Sequence, residues 1–120
     1  LKCKRAIPLA VSGAFHSPFM AEAAKRFAAE LDNVPFMDAR VPVLSNSAAS
    51  ASTSADDLKQ RLKQQMTTGV RWRETMAVMT DSGVDIVVEI GPGNVLSGLA
   101  KRSMSGVTTA QIGGAEDLGQ

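Results

Sequence analysis

The chain is predicted to be an α/β protein: a mostly parallel sheet flanked by helices. Three observations carry this. Short apolar runs of strand length alternate with segments whose apolar residues recur at helical spacing. Residues 84–90 (Val-Asp-Ile-Val-Val-Glu-Ile) hold consecutive β-branched residues, the pattern of a strand buried on both faces of a parallel sheet. Gly13, Gly69, Gly83 and Gly91-Pro92-Gly93 fall at the boundaries between these segments, where breakers belong.

Taken in order, residues 6–11 read as a strand, with Pro8 marking an edge or irregular position. Gly13 ends it. Ser17-Pro18 then has the form of a helix start, Ser as N-cap and Pro in the first turn. Met20, Ala23, Ala24, Phe27 and Leu31 follow at helical spacing, and this helix should end near Asp32-Asn33, ahead of Pro35. Residues 41–45 form a second short strand, with Asn46 at its C-terminal end. Residues 47–54, rich in Ser, Ala and Thr, read as a loop. Ser54 with Asp57 resembles a capping box, and Leu58, Leu62 and Met66 give the next helix a narrow apolar stripe. Thr67-Thr68-Gly69 breaks it. Trp72, Met76 and Met79 predict a helix to about Ser82, with Gly83 just past its end. After strand 84–90 and the Gly-Pro-Gly turn, Val95, Leu96, Leu99 and Ala100 begin a helix whose C-terminal end suits Lys101 and Arg102. Residues 107–112 are a last strand. The six Met residues read as gap-filling core.

Composition narrows the class. The 120 residues allow one domain at most. Hydrophobic residues make up 44% and charged residues 21%, which suits a globular core and argues against disorder. A net charge of +1 gives no general attraction to nucleic acid or to an anionic membrane. No apolar run approaches the ~18 residues of a membrane span, and no secretory signal pattern is present. Cys3 is the single cysteine, too few for an internal disulfide or a cysteine-based zinc site. The chain begins with Leu rather than Met, and reads as a piece of something longer.

The candidate chemistry centres on His16, the sole histidine, at the junction between the first strand and the first helix. Side chains at such junctions project into clefts of α/β folds, and an imidazole can take and return protons near neutral pH. A lone histidine is nonetheless more often a packed or surface residue. Its simplest chemical use would be to activate a Ser or Cys nucleophile, but no Gly-x-Ser-x-Gly elbow occurs. Ser17 suits a capping role, and Cys3 has no evident activating partner. A nucleophile for His16 is therefore expected outside this chain. Gly91-Pro92-Gly93-Asn94 ahead of a helix could hold an anion, yet lacks the Lys-Ser/Thr of a P-loop; a tight packing turn is the simpler reading. Glu89 suits a bond to backbone or to a basic partner. Lys59, Arg61 and Lys63 could meet an acidic partner, with a solvated helix face as the default.

Four motifs in register carry a resemblance. Gly13-Ala14-Phe15-His16-Ser17, Val41-Pro42-Val43-Leu44-Ser45-Asn46, Gln65 with Val70-Arg71-Trp72, and Glu89 to Leu99 (Glu-Ile-Gly-Pro-Gly-Asn-Val-Leu-Ser-Gly-Leu) together resemble the C-terminal part of the malonyl-CoA:acyl carrier protein transacylases of fatty-acid synthesis. The acyltransferase domains of polyketide synthases are relatives. The match spans residues 4 to about 104. It implies a large α/β-hydrolase-like subdomain with a small ferredoxin-like insert. Residues 1–12 would be the last strand of the insert, and 13–120 the C-terminal part of the large subdomain. His16 matches the family's catalytic histidine, and Gln65 the residue whose backbone carbonyl orients it. The nucleophile Ser and the Arg that pairs with the malonyl carboxylate would lie upstream. Phe15 resembles the bulky residue of malonyl-selective relatives, and Asn46 is a substrate-binding candidate.

The resemblance further implies malonyl transfer to the phosphopantetheine thiol of acyl carrier protein through an acyl-serine. No cofactor or metal is implied. The intact enzyme would be monomeric and cytoplasmic, or in an organellar stroma or matrix. The alternatives are a polyketide synthase acyltransferase domain and, from another class, a non-catalytic fragment that docks carrier protein.

Overall fold

The computed structural model describes residues 6–8 and 11–119. A 3₁₀ turn over Pro18–Met20 leads into α1 (Ala21–Asp32). A hairpin of β1 (Val43–Ser45) and β2 (Ala48–Ser52) follows, then α2 (Ala55–Gln64), α3 (Trp72–Asp81), β3 (Ile86–Ile90), α4 (Val95–Ser103) and β4 (Thr108–Ile112). A short 3₁₀ segment at Ala115–Gly119 closes the described chain. The α/β class and all four helices agree with the expectation from spacing.

The sheet departs from it. Only β3 and β4 pair in parallel, in register from Ile86 opposite Thr108 to Ile90 opposite Ile112. The segment read as a loop contains β2, which pairs antiparallel with β1 across a two-residue turn at Asn46-Ser47. Small residues hid this strand. Ala and Ser carry weak strand preference, and pairing with β1 overrides it. Among the described residues the sheets are thus one parallel and one antiparallel pair, not a single mostly parallel sheet.

The strand expected over 6–11 is not formed at 6–8 or at Val11, and Leu9 and Ala10 lie outside the described residues. A strand needs a neighbour to bond, and no described strand pairs with this segment. The assignment of residues 1–12 to a smaller subdomain falls largely outside the described residues as well.

Burial of β3 on both faces is also overturned. Val87 packs on the core, but Ile86, Val88 and Ile90 are 60%, 47% and 79% exposed. The face of β3 that carries these three residues is largely open among the described residues. The buried core is small: Met76, Ala100 and Met104, with Trp72, Met79, Val87, Leu99 and Val107 packed around them. It sits where α3 and α4 meet over the β3–β4 pair.

Glu89 ties this unit together. Its carboxylate accepts the backbone N–H groups of Leu96 (3.2 Å) and Ser97 (2.8 Å), two of the orphan donors at the start of α4. The Gly-Pro-Gly turn makes this reach feasible: Gly91 (φ 132°) and Gly93 (φ 90°) take left-handed backbone that other residues resist. An anion site at this helix start is therefore already filled by the chain's own carboxylate. Hydrogen bonding from Ser97, with that from the Leu96 N–H, holds the Glu89 carboxyl below its ordinary value of 4.5.

Two outcomes follow for stability. Ala100 is fully buried, so Ala100→Leu should cost about 1–3 kcal/mol by overpacking, read from denaturant unfolding. Glu89→Gln should lower the melting temperature at neutral pH. Because the folded-state carboxyl is depressed, its stabilisation is complete above about 4.5 and lost as pH falls below it. The gap between Glu89→Gln and the parent should therefore close in acid; a gap that is constant with pH would refute the charge's role.

Candidate functional site

The site is built where the loop ahead of α1 meets the end of α2. Helix ends leave their last carbonyls without intrahelical donors. At α2 two consecutive orphans, the carbonyls of Gln65 and Met66, are taken by one residue. His16 donates its backbone N–H to the Met66 carbonyl at 2.9 Å. Its ring Nδ1 lies 2.7 Å from the Gln65 carbonyl oxygen. A carbonyl can only accept, so Nδ1 carries the proton. In the neutral ring Nε2 is then left with a free lone pair.

This two-point grip holds an uncommon backbone. His16 has φ 63°, the one positive φ outside glycine among the described residues. Such a residue costs on the order of 1–3 kcal/mol. Two hydrogen bonds at about 0.5–1.5 kcal/mol each are of the size needed to offset it. The strain is thus spent on aiming the ring, not relieved by a local alternative.

Phe15 and His16 line an open concavity of about 420 Å³ with Val11, Ser12 and Gly13. The Phe15 ring, 60% exposed, folds back over Gly13, where a Cβ would stand 3.1 Å from the ring edge. Ser17 holds the N-cap position of the 3₁₀ turn but makes no side-chain cap; its hydroxyl donates instead to the Ala14 carbonyl at 2.6 Å. That bond tightens the loop on the N-terminal side of His16. The expected capping role of Ser17 is replaced by this one: its hydroxyl turns back to Ala14 rather than accepting an N–H of the 3₁₀ turn.

The structure joins His16 to Gln65 and sets Phe15 beside them. It does not join Asn46 to them. Asn46 sits in the β1–β2 turn, where its backbone carbonyl accepts the N–H of Arg71 at 3.0 Å. Among the described residues no hydrogen bond links Asn46 to His16.

The basic face of α2 is not free. Lys59 donates to the Val34 carbonyl at 2.9 Å and lies over the Phe36 ring. Arg61 pairs with Asp57 at 2.7 Å and reaches Ser50. Lys63 pairs with Asp32, whose carboxyl is held below its ordinary range by that bond. These cations fasten α2 to the end of α1 and to β2, so a solvated face available to an acidic partner is not what they form. Among the described residues no group of three or more His, Cys, Asp or Glu side chains converges as metal ligands, and no helix is long and apolar enough to cross a membrane.

Sequence reasoning missed the Met66 carbonyl and the positive φ of His16. Main-chain acceptors leave no side-chain signature, and only tertiary contact shows the backbone angle.

No protein-family model matches the chain. It is 49% identical over 118 residues to the malonyl CoA-acyl carrier protein transacylase of Synechocystis sp., covering 98% of this chain and 40% of that protein. It is 42% identical over 115 residues to the protein of the same name from Bacillus subtilis, of which it covers 36%. The crystal structure of the Synechocystis sp. malonyl-CoA:ACP transacylase superposes with a TM-score of 0.87 at 50% identity, over 98% of this chain and 40% of that one. A malonyl-transacylase in complex with a type II PKS acyl-carrier protein superposes with a TM-score of 0.84 at 37% identity, over 96% of this chain and 37% of that one. The chain thus spans about 40% of the length of the curated relatives it matches. In sequence and in fold it corresponds to part of the malonyl CoA-acyl carrier protein transacylases.

Since Gln65 serves through its main chain, Gln65→Ala should leave the ring's tautomer unchanged, with the ¹⁵N shifts of His16 as the measurement. Loss of the Nδ1-protonated pattern in that variant would assign the grip to the side chain instead.

Proposed function

We propose that the chain is the histidine-bearing C-terminal portion of a malonyl-CoA:acyl carrier protein transacylase of fatty-acid synthesis. On this reading residues 13–120 belong to a large α/β-hydrolase-like subdomain, and residues 1–12 to the last strand of a small ferredoxin-like one. The exposed face of Ile86, Val88 and Ile90 supports this, since β-branched strand residues of this kind need cover. The observation that carries the functional reading is the 2.7 Å contact between Nδ1 of His16 and the Gln65 carbonyl.

The mechanism follows from that contact. A serine hydroxyl supplied by another part of the protein attacks the malonyl thioester carbonyl. Its proton passes to Nε2 of His16, which is free because Nδ1–H is engaged. The carbonyl end of α2 places partial negative charge beside the imidazolium that forms, so no carboxylate is required, unlike the Ser-His-Asp arrangement. The tetrahedral intermediate collapses, the CoA sulfur leaves, and Nε2–H protonates it. In the second half the phosphopantetheine thiol of acyl carrier protein gives its proton to Nε2 and attacks the malonyl-serine ester. Serine leaves and recovers the proton. Both halves are acyl exchanges, so the chemistry calls on no cofactor and no metal. The setting is cytoplasmic or an organellar stroma or matrix, with the intact enzyme acting as a monomer.

Gln65 orients the base through its carbonyl, and Phe15 shapes the acyl pocket beside it. Asn46, in the β1–β2 turn, is a further substrate-contact candidate. A second reading, an acyltransferase serving polyketide synthesis, is favoured by one observation: a similar solved structure is described with a type II PKS acyl-carrier protein. Transfer rates to fatty-acid and polyketide carrier proteins separate the two.

In the full-length protein, His16→Ala should slow malonylation by about 10²–10⁴-fold, the usual contribution of a positioned general base. Acylation at the parent rate would remove His16 from the mechanism. Phe15→Ser should weaken the preference for malonyl over methylmalonyl by roughly 1–3 kcal/mol, the size of one methyl in a pocket; an unchanged ratio of kcat/KM values would show that the ring does not read the α-carbon.

A further inference from the structure

The grip on His16 depends on where two backbone carbonyls point, and the turn that carries them has its own lock. Gln64 ends α2, and its carbonyl is the orphan immediately before those of Gln65 and Met66. Three donors converge on that one oxygen: the N–H of Thr67 at 3.2 Å, the hydroxyl of Thr67 at 3.2 Å and the hydroxyl of Thr68 at 3.1 Å. From the helix side, Gln65 donates its N–H to the Arg61 carbonyl at 3.1 Å. The three consecutive carbonyls therefore divide: Gln64 faces the threonines, and Gln65 and Met66 face His16.

We propose that Thr67 and Thr68 are positioning residues for His16, their hydroxyls fixing the turn that presents the Gln65 and Met66 carbonyls to its ring and amide. Both threonine hydroxyls donate to the Gln64 carbonyl rather than to His16, so the pair acts through the backbone. The chemistry explains why hydroxyls are needed. A carbonyl at a helix end that loses its donors re-aims towards water or another N–H, and the peptide planes on either side rotate with it. The Gln65 oxygen is one peptide away, and a hydrogen bond weakens steeply as its angle opens. A small rotation at Gln64 would thus be felt as a misaimed imidazole, and such errors of placement cost rate out of proportion to their size. This rests on the reading of His16 as the proton carrier, and it adds the two side chains that hold it.

The test uses the full-length protein with Thr67→Val/Thr68→Val, which keeps the side-chain volume and removes both hydroxyls, and Thr67→Ser/Thr68→Ser, which keeps both. The Val pair should lower kcat for malonyl transfer about tenfold with KM for malonyl-CoA within about twofold. It should also shift or broaden the His16 ring ¹⁵N signals. The Ser pair should restore both. Thr68→Val alone, at an exposed position, serves if the double variant does not fold, and should show the same ring perturbation to a smaller degree. Unchanged kcat and unchanged ring signals in the Val variants would overturn the proposal. So would a Ser pair as impaired as the Val pair, because shape rather than hydroxyl would then be at work. The ring signals are read without turnover. If His16→Ala leaves acylation intact, the functional reading fails while the positioning result still stands or falls by itself.

Discussion

One hydrogen bond organises the candidate site: the imidazole Nδ1–H of His16 given to the main-chain carbonyl of Gln65. A backbone oxygen cannot titrate and cannot donate. It therefore accepts from Nδ1–H and leaves Nε2 of the neutral ring as the free nitrogen. The left-handed backbone at His16 follows from the same requirement. In that conformation amide and ring reach two consecutive carbonyls of one helix end, and the two bonds offset a strain of comparable size.

The rest of the described fold holds the two partners of that bond in place. His16 rides on the loop that enters α1, and Gln65 caps α2, so the α1–α2 contact sets the distance between them. That contact is fastened by Lys63 on Asp32 and by Lys59 on the carbonyl of Val34. Exposed ion pairs contribute little to stability singly, but here they fix geometry between elements whose shared core is thin. Further along, Glu89 stitches β3 to the start of α4, and Met76, Ala100 and Met104 seal the layer beneath. The turn between α2 and α3 links the two halves through Arg71, whose N–H reaches Asn46.

Much of this was legible in the residues. Helical spacing placed all four helices to within a few positions, because apolar periodicity records which face is buried. His16 stood out as the sole histidine at a strand-to-helix junction, whereas Gln65 was indicated only by the family resemblance. What escaped has a common cause. The β2 strand is made of Ala and Ser and exists through pairing with β1, not through preference. The parallel pair was expected to lie in a larger sheet, and the exposure of Ile86, Val88 and Ile90 depends on neighbours that β3 itself cannot specify. Ser17 looked like a helix cap and bonds backwards to Ala14, because local hydroxyls choose among nearby carbonyls by loop shape. The Met66 carbonyl and the threonine lock are main-chain features that residue identity does not announce.

The most direct test of the account is neutron diffraction from deuterated crystals of the full-length protein at neutral pH. The account predicts deuterium on Nδ1 of His16, lying along the line to the Gln65 oxygen, with Nε2 bare in the resting state and open to an incoming hydroxyl. Deuterium on Nε2 alone, or a ring turned away from Gln65, would contradict it.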